Sequence, residues 1–362
     1  MAGLAPLSQE LQEQENGLQA LLRGDHVNTI PLIPFGIARG YSKHIASSWL
    51  SAASWCVAVL SMTTITGACA ASPVPSPAVA RQIEQARQLL EKGDNAKAIE
   101  IAGQVLAHTE SAELRNILGK AYARSGEPEK AALELSSAIR LQPGNEGFHF
   151  DLGQFLLRSG DFGNATAAME DAKQRFPRSA QIALALGVAY YCSVRYDDAV
   201  RAFLRTIELA PDVPQPYVFL GKMLDHARSH LGEITRECLV AERLSSSNPY
   251  APLLHAEVLI AELGPTDEQG KAAAAVKLLE RVIVLRNDSA EAYFVFGCLM
   301  DRQGDYQRAA RLLERCVQLK PDDPVARYRL GRLYVRLGKR DQADAEFAKQ
   351  ESLKQNAHRG AQ

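Results

Sequence analysis

The chain has 362 residues, 46% hydrophobic and 23% charged, with a formal net charge of −1. That balance supplies ample core and argues against wholesale electrostatic binding to nucleic acid or anionic lipid. The six cysteines (Cys56, Cys69, Cys192, Cys238, Cys298, Cys316) form no Cys-x-x-Cys pair and no zinc-finger spacing, so they mark no metal centre.

Residues 1–38 carry only a weak Leu7/Leu11/Leu18/Leu21 stripe and read as a disordered extension or as sequence upstream of the true start. Arg39, Lys43 and His44 then precede an apolar run containing Trp49, Leu50, Trp55, Val57, Val59, Leu60, Met62 and Ile65, closed by Gly67-Ala68-Cys69-Ala70-Ala71. A basic region, an apolar stretch and a small-residue exit are the order of a secretory signal peptide. Residues 39–71 are therefore expected to act as a signal peptide or membrane anchor. The expected location is exported, periplasmic or membrane-tethered in a bacterial envelope, with the cytoplasm as the alternative. Thr66-Gly67-Ala68-Cys69 resembles a bacterial lipobox, departing from it at Thr66 where Leu is usual, which makes Cys69 the candidate for lipidation. Residues 72–78 form a stiff Pro-rich linker.

Beyond the linker a period of 34 residues takes over. Gly119, Gly153, Gly187 and Gly221 keep it, as do Ala131, Ala165 and Ala199, and Pro143, Pro177 and Pro211. Gly297 and Gly331 restart it, followed by Ala309 and Ala343. Such self-similarity marks a helix–turn–helix solenoid, in which units share one elongated core because none can bury its apolar face alone. The small Gly and Ala let the two helices of a unit approach closely. Gly126, Gly160, Gly304 and Gly338 are placed to end each first helix in the left-handed conformation, and Pro143, Pro177, Pro211 and Pro321 to end each second one. A degenerate unit (Ala86, Gly93, Ala98) opens the array.

The phase breaks between Gly221 and Gly297, which stand 76 residues apart, eight more than two repeats. With Pro249 taken as a helix-ending proline, the excess divides into four residues in the fifth unit and four in the sixth. The turns that would hold them are Asp225–Gly232 and Gly264–Gly270.

The set Leu118-Gly119, Tyr122, Gly126, Ala131, Ala138 and Pro143 recurs as Leu186-Gly187, Tyr190, Tyr196, Ala199, Phe203 and Pro211, and again as Leu330-Gly331, Tyr334, Gly338, Ala343 and Phe347. It resembles the tetratricopeptide repeat family, exported bacterial type, over residues 79–357, with 358–362 as a tail. The resemblance implies an all-α, right-handed superhelical solenoid of about eight units whose first helices line a concave, partner-binding groove. The family's offsets select Asn116, Lys120, Arg124, Phe150, Gln154, Arg158, Leu184, Val188, Tyr191, Val218, Lys222, Asp225, His226, Phe294, Asp301, Arg302, Tyr328, Arg332 and Arg336. Rings would give contact area there, and guanidinium groups would pair with carboxylates. The carboxylate clamp of some members is not reproduced: Asn116 and Lys120 resemble a piece of it, with no second Asn one unit on.

No His-Glu-x-x-His, Gly-x-Ser-x-Gly, P-loop or dinucleotide motif occurs, and the repeats leave no room for a catalytic domain. The one His/acid cluster, Asp225, His226, His230 and Glu233, falls where a helix is expected to end near Ser229 and Gly232, so no metal site is assigned. The expected function is an envelope scaffold or adaptor that binds a protein or peptide, without cofactor, catalysis or nucleic acid, and touches membrane only through its N-terminal segment. A cytosolic regulatory repeat protein and a substrate-presenting subunit of a glycan-processing or glycosyl-transfer enzyme are the rivals.

Overall fold

A computed structural model describes residues 76–264 and 270–360. The leader, Cys69 and most of the linker lie outside the described residues. Sixteen α-helices and no strand are found among those described, paired in chain order. The pairs are α1 (Pro77–Glu91) with α2 (Asn95–Leu106), α3 (Ala112–Arg124) with α4 (Pro128–Leu141), α5 (Glu146–Arg158) with α6 (Phe162–Arg175), and α7 (Ala180–Cys192) with α8 (Tyr196–Leu209). After them come α9 (Gln215–Lys222) and α10 (Leu231–Leu244), α11 (Tyr250–Ala261) and α12 (Lys271–Leu285), α13 (Ala290–Gln303) and α14 (Tyr306–Leu319), and α15 (Pro324–Arg336) and α16 (Arg340–Gly360). Each pair stacks on the next, so the array is one all-α solenoid of eight units. No described helix is long and apolar enough to cross a membrane.

The regular units share one packing device. A Cβ on Gly119 would meet the Leu135 side chain at 2.7 Å, and one on Gly187 would meet the Phe203 ring at 2.6 Å. Gly297 and Gly331 face Leu313 and Phe347 in the same way, always the residue sixteen positions on in the unit's own second helix. Beside this contact sits the small residue of the second helix: Ala131, Ala165, Ala199 and Ala309 are fully buried. Glycine and alanine thus admit one large side chain between two closely approaching helices.

Turns and ends follow from local chemistry. Gly126, Gly160, Gly304 and Gly338 all have φ between +72° and +83°. The next amide closes the turn by bonding back five residues, as Glu127 N to Tyr122 O at 3.0 Å and Asp161 N to Leu156 O at 3.0 Å. The fourth unit keeps the geometry without the glycine: Val194 stands there at φ 62° and is 63% exposed. A β-branched side chain in that region is strained. Ser111, Ser179 and Ser289 cap first helices, and Asp94, Asp161 and Asp305 cap second helices, each accepting from the backbone amide three residues on. Second helices end at Gln142, Phe176, Ala210 and Lys320, each directly before its proline.

The fifth unit departs from the plan, and the expected even division of the eight extra residues is corrected. Tyr196 and Leu231 open α8 and α10, 35 residues apart, so the fifth unit gains one residue. The caps Ser245 and Arg286 lie 41 apart, so the sixth gains seven. Pro249 ends no helix; it is the N-cap of α11 and corresponds to Pro214, the N-cap of α9. In this register Ile234 takes the alanine place and Cys238 the place of the large side chain, both fully buried. Large and small have changed position, and α9 packs on α8 and α11 instead of on α10. The helix stops at Lys222, and the chain runs through tight turns with Met223 and Ala227 buried, then a 3₁₀ turn at Arg228–His230. The expected helix end near Ser229 and Gly232 is therefore wrong: Gly232 lies in the first turn of α10.

Candidate partner-binding groove

The first helices of successive units form one continuous row. α1 packs on α3, α3 on α5, α5 on α7, α9 on α11 and α11 on α13. Tyr191 of α7 meets Phe219 of α9 edge-on at 5.4 Å, and Arg329 of α15 lies over the Phe294 ring of α13 at 5.6 Å. The residue after the packing glycine, or after Ala256 in its place, recurs along this row as Lys120, Gln154, Val188, Lys222, Glu257, Cys298 and Arg332.

The residues selected from the sequence separate into three groups. Some are absorbed by packing. Val188 and Val218 are buried at 1% and 6% exposure, and Leu184 packs on the same core, so these three are removed from the groove. Apolar groups on this row sink between neighbouring helices because that removes them from water. Asn116 is also buried, and its Nδ2 has no partner. Phe150, Tyr191 and Phe294 are half-buried, each with part of its ring on the core. Burial pushes the Tyr191 hydroxyl up to about 12.

A second group joins unit to unit. Arg124 donates to the Leu90 carbonyl at 2.5 Å, at the end of α1. Arg302 donates to the Leu263 carbonyl at 2.8 Å, just past the end of α11. Arg336 pairs with Asp301 and lies over the Tyr306 ring at 5.0 Å. Three last-turn arginines thus reach back to the preceding unit, two of them onto main-chain carbonyls at or just past a helix end, that of Leu90 also accepting from the Gly93 amide at 3.2 Å. Lys120 pairs with Asp151 of the next unit at 3.1 Å. These groups were expected to face a partner, and the array already engages them.

The third group stays at the surface. Gln154 accepts from the exposed Arg158 at 2.9 Å; Tyr328 is 45% exposed, with Arg332 over its ring at 6.0 Å. Asp225 projects into solvent and pairs with Arg228 at 3.0 Å. His226 stacks on Tyr196 at 4.2 Å, whereas His230 turns to Asp197 at 3.0 Å and Glu233 at 3.3 Å. The two histidines diverge, and no described group of three His, Cys, Asp or Glu could hold a metal.

Lys222 is half-buried and makes no ion pair or hydrogen bond; burial lowers its ammonium to about 8. On the next rung Glu257 reaches back so that a Cβ on Gly221 would meet its Oε2 at 2.5 Å. Burial, reinforced by the charge of Glu291, holds the Glu257 carboxyl well above the usual carboxylate range. Glu257 is invisible to an offset counted from Gly221, because its register runs through Ala256, which stands where other units have glycine; Glu291 stands six residues before Gly297 in the seventh unit, a position none of the groove offsets selects. The 35-residue step from Pro214 to Pro249 is the signal that finds Glu257.

A family model described as Tetratricopeptide repeat matches residues 83–146, 150–214 and 267–324, and a second of the same description matches 302–361. Residues 215–266, between the matched segments, hold the fifth unit and α11. No curated protein matches the chain in sequence. Among solved structures, the chain is similar to one from the APC/C hetero-tetramer Cut9–Hcn1, at 14% identity and a TM-score of 0.46 over 76% of this chain; it spans about half (53%) of that protein's length. It is also similar to a tetratricopeptide repeat protein from Parabacteroides merdae, at 18% identity and a TM-score of 0.45 over 71% of this chain and 98% of that one. A third is pilF of Pseudomonas aeruginosa, at 16% identity and a TM-score of 0.44 over 67% and 91%.

Proposed function

Because the chain belongs to the tetratricopeptide repeat family, whose members bind protein partners and are generally scaffolds without chemistry of their own, we propose that it is a scaffold or adaptor holding an extended polypeptide along its row of first helices, with no intrinsic catalysis. The observation that carries this is the surface of that row. Gln154, Lys222, Glu257, Tyr328 and Arg332 stay outside the core on four different units, among the half-buried rings of Phe150, Tyr191 and Phe294. Half-buried rings beside open charged groups are what a polypeptide-binding surface requires. The basic, apolar and small-residue order of residues 39–71 supports an exported protein working in a bacterial cell envelope, cleaved, lipidated at Cys69 or retained as an anchor.

A photo-cross-linking amino acid placed at Gln154, Tyr328 or Arg332 tests the surface, with Lys130 and Glu280 on second helices as controls. Adducts from the first three positions alone are the expected result; adducts confined to the controls would move the site to the other face. N-terminal sequencing of envelope material is expected to find a start between Cys69 and Ser72. A full-length chain confined to the cytoplasm would remove the export reading.

A further inference from the structure

Most charged groups along the row are neutralised within the array. Lys120 pairs with Asp151, Arg87 with Glu113, Arg336 with Asp301, and Arg327 with Glu346 at 2.7 Å. Three groups of the fifth to seventh units depart from this pattern. Lys222 of α9, Glu257 of α11 and Glu291 of α13 each lack an ion pair and a hydrogen bond. The nearby cations are engaged elsewhere: Arg286 with Asp288 at 3.3 Å and the Tyr250 hydroxyl at 2.6 Å, Lys320 with Asp323 at 3.4 Å. Glu257 and the exposed Glu291 therefore share Lys222, a cation with no partner of its own, while Lys320 and Arg286 act on Glu291 from a distance.

The position of Glu257 has a structural cause. In the regular units the space over the packing glycine is filled by a large side chain of the unit's own second helix. In the fifth unit that residue is Cys238, too short to fill it, and the Glu257 carboxylate lies on the bare backbone of Gly221 instead. Any side chain at 221 would displace it. Holding an unpaired, half-buried carboxylate in one place is unfavourable unless something supplies the opposite charge.

We propose that the middle of the row is an anchor for a basic side chain, in which Glu257 and Glu291 receive the Lys or Arg of a bound extended segment while Lys222 faces that segment's carbonyl or carboxylate oxygens. This rests on the reading of the first-helix row as the polypeptide-binding surface. An arginine satisfies both oxygens of one carboxylate through paired N–H donors, and a lysine satisfies them as a point charge. The carboxyl of Glu257, raised in the empty groove, returns to the ionised form when such a cation arrives.

Fluorescein-labelled decapeptide pools, degenerate except for a central Arg, Lys, Ala or Asp, test the proposal against the full chain by anisotropy. The Arg and Lys pools are expected to bind at least about tenfold more tightly than the Ala pool. E257Q and E291Q should each remove most of that preference while circular dichroism shows an unchanged helical fold. K222M should leave the basic preference in place and weaken only the Asp pool. Tightest binding of the Asp pool, or an Arg preference that survives both glutamine variants, would overturn the anchor. Equal binding of all pools would also overturn it and leave the polypeptide-binding reading standing. Binding of none, together with cross-links from second helices only, would remove both.

Discussion

In the fourth unit Gly187 of α7 receives Phe203 from α8, and Ala199 beside it keeps the two helices close. In the fifth, Ile234 stands where Ala199 did and Cys238 where Phe203 did, so volume has moved by one helical turn within the same layer. The fourth unit accordingly closes on itself. The fifth does not: α9 leaves α10, rests on its neighbours, and ends in turns after Lys222. Total volume is nearly conserved, yet the contact changes, because close packing responds to where volume sits as much as to how much there is. The opening over Gly221 that results is where the unpaired carboxylate of Glu257 lies.

The largest test of this contrast removes the two counterpart side chains. Phe203→Ala is expected to cost about 3–5 kcal/mol, and Cys238→Ala, a much smaller volume change, less than about 1.5 kcal/mol, both read by urea unfolding. Equal losses would mean that the fifth unit packs like the fourth. Next, Ala199→Leu or Ala165→Leu should overpack a tight contact and cost about 1–3 kcal/mol, whereas Ile234→Leu should stay below about 1.5 kcal/mol. A harmless Ala199→Leu would break the account of the regular units.

The turns give a smaller effect of opposite sign. Val194→Gly should stabilise by about 1 kcal/mol by relieving the left-handed strain, while Gly160→Ala, one unit earlier in the same geometry, should destabilise by a similar amount. A lower melting temperature for Val194→Gly would contradict the strain. The smallest effect is a titration. Burial puts the Lys222 ammonium at about 8 in the folded chain, against 10.5 without the fold. Between those values the unfolded chain binds more protons, so this lysine makes stability rise with pH across that window. The difference between wild type and K222M should show that rise; a flat difference from pH 8 to 10.5 would mean that Lys222 is fully hydrated.

Much of the fold is legible in the sequence because its regular units depend on side-chain size at fixed steps. Gly187 and Ala199 announce their contact by lacking bulk, and Gly160 announces its turn by tolerating positive φ. Legibility fails where one residue type serves two ends. A proline suits the first turn of a helix as well as the exit from one, so Pro249 read as a terminator shifted the fifth and sixth units and hid Glu257. The candidate site is less legible for a similar reason. Arg124, Arg302 and Arg336 share the offsets of groove residues, but at the last turn of a helix the nearest acceptors belong to the preceding unit. Val188 and Lys222 share an offset too, and their different affinity for water sends one into the core and leaves the other half-open.

The backward reach of Arg124 and Arg302 has a consequence in time. Each completes the exposed end of a helix synthesised one unit earlier, 34 residues before it for Leu90 and 39 for Leu263. A ribosome adding about 5–20 residues per second delivers such an arginine on the order of two to eight seconds after the carbonyl it bonds. Until then the new end of the growing array lacks that donor and presents a bare packing face, so during synthesis each of these units depends on its successor. A pause in translation just before Arg124 or Arg302 would lengthen that interval and hold an unfinished end in contact with the cytosol.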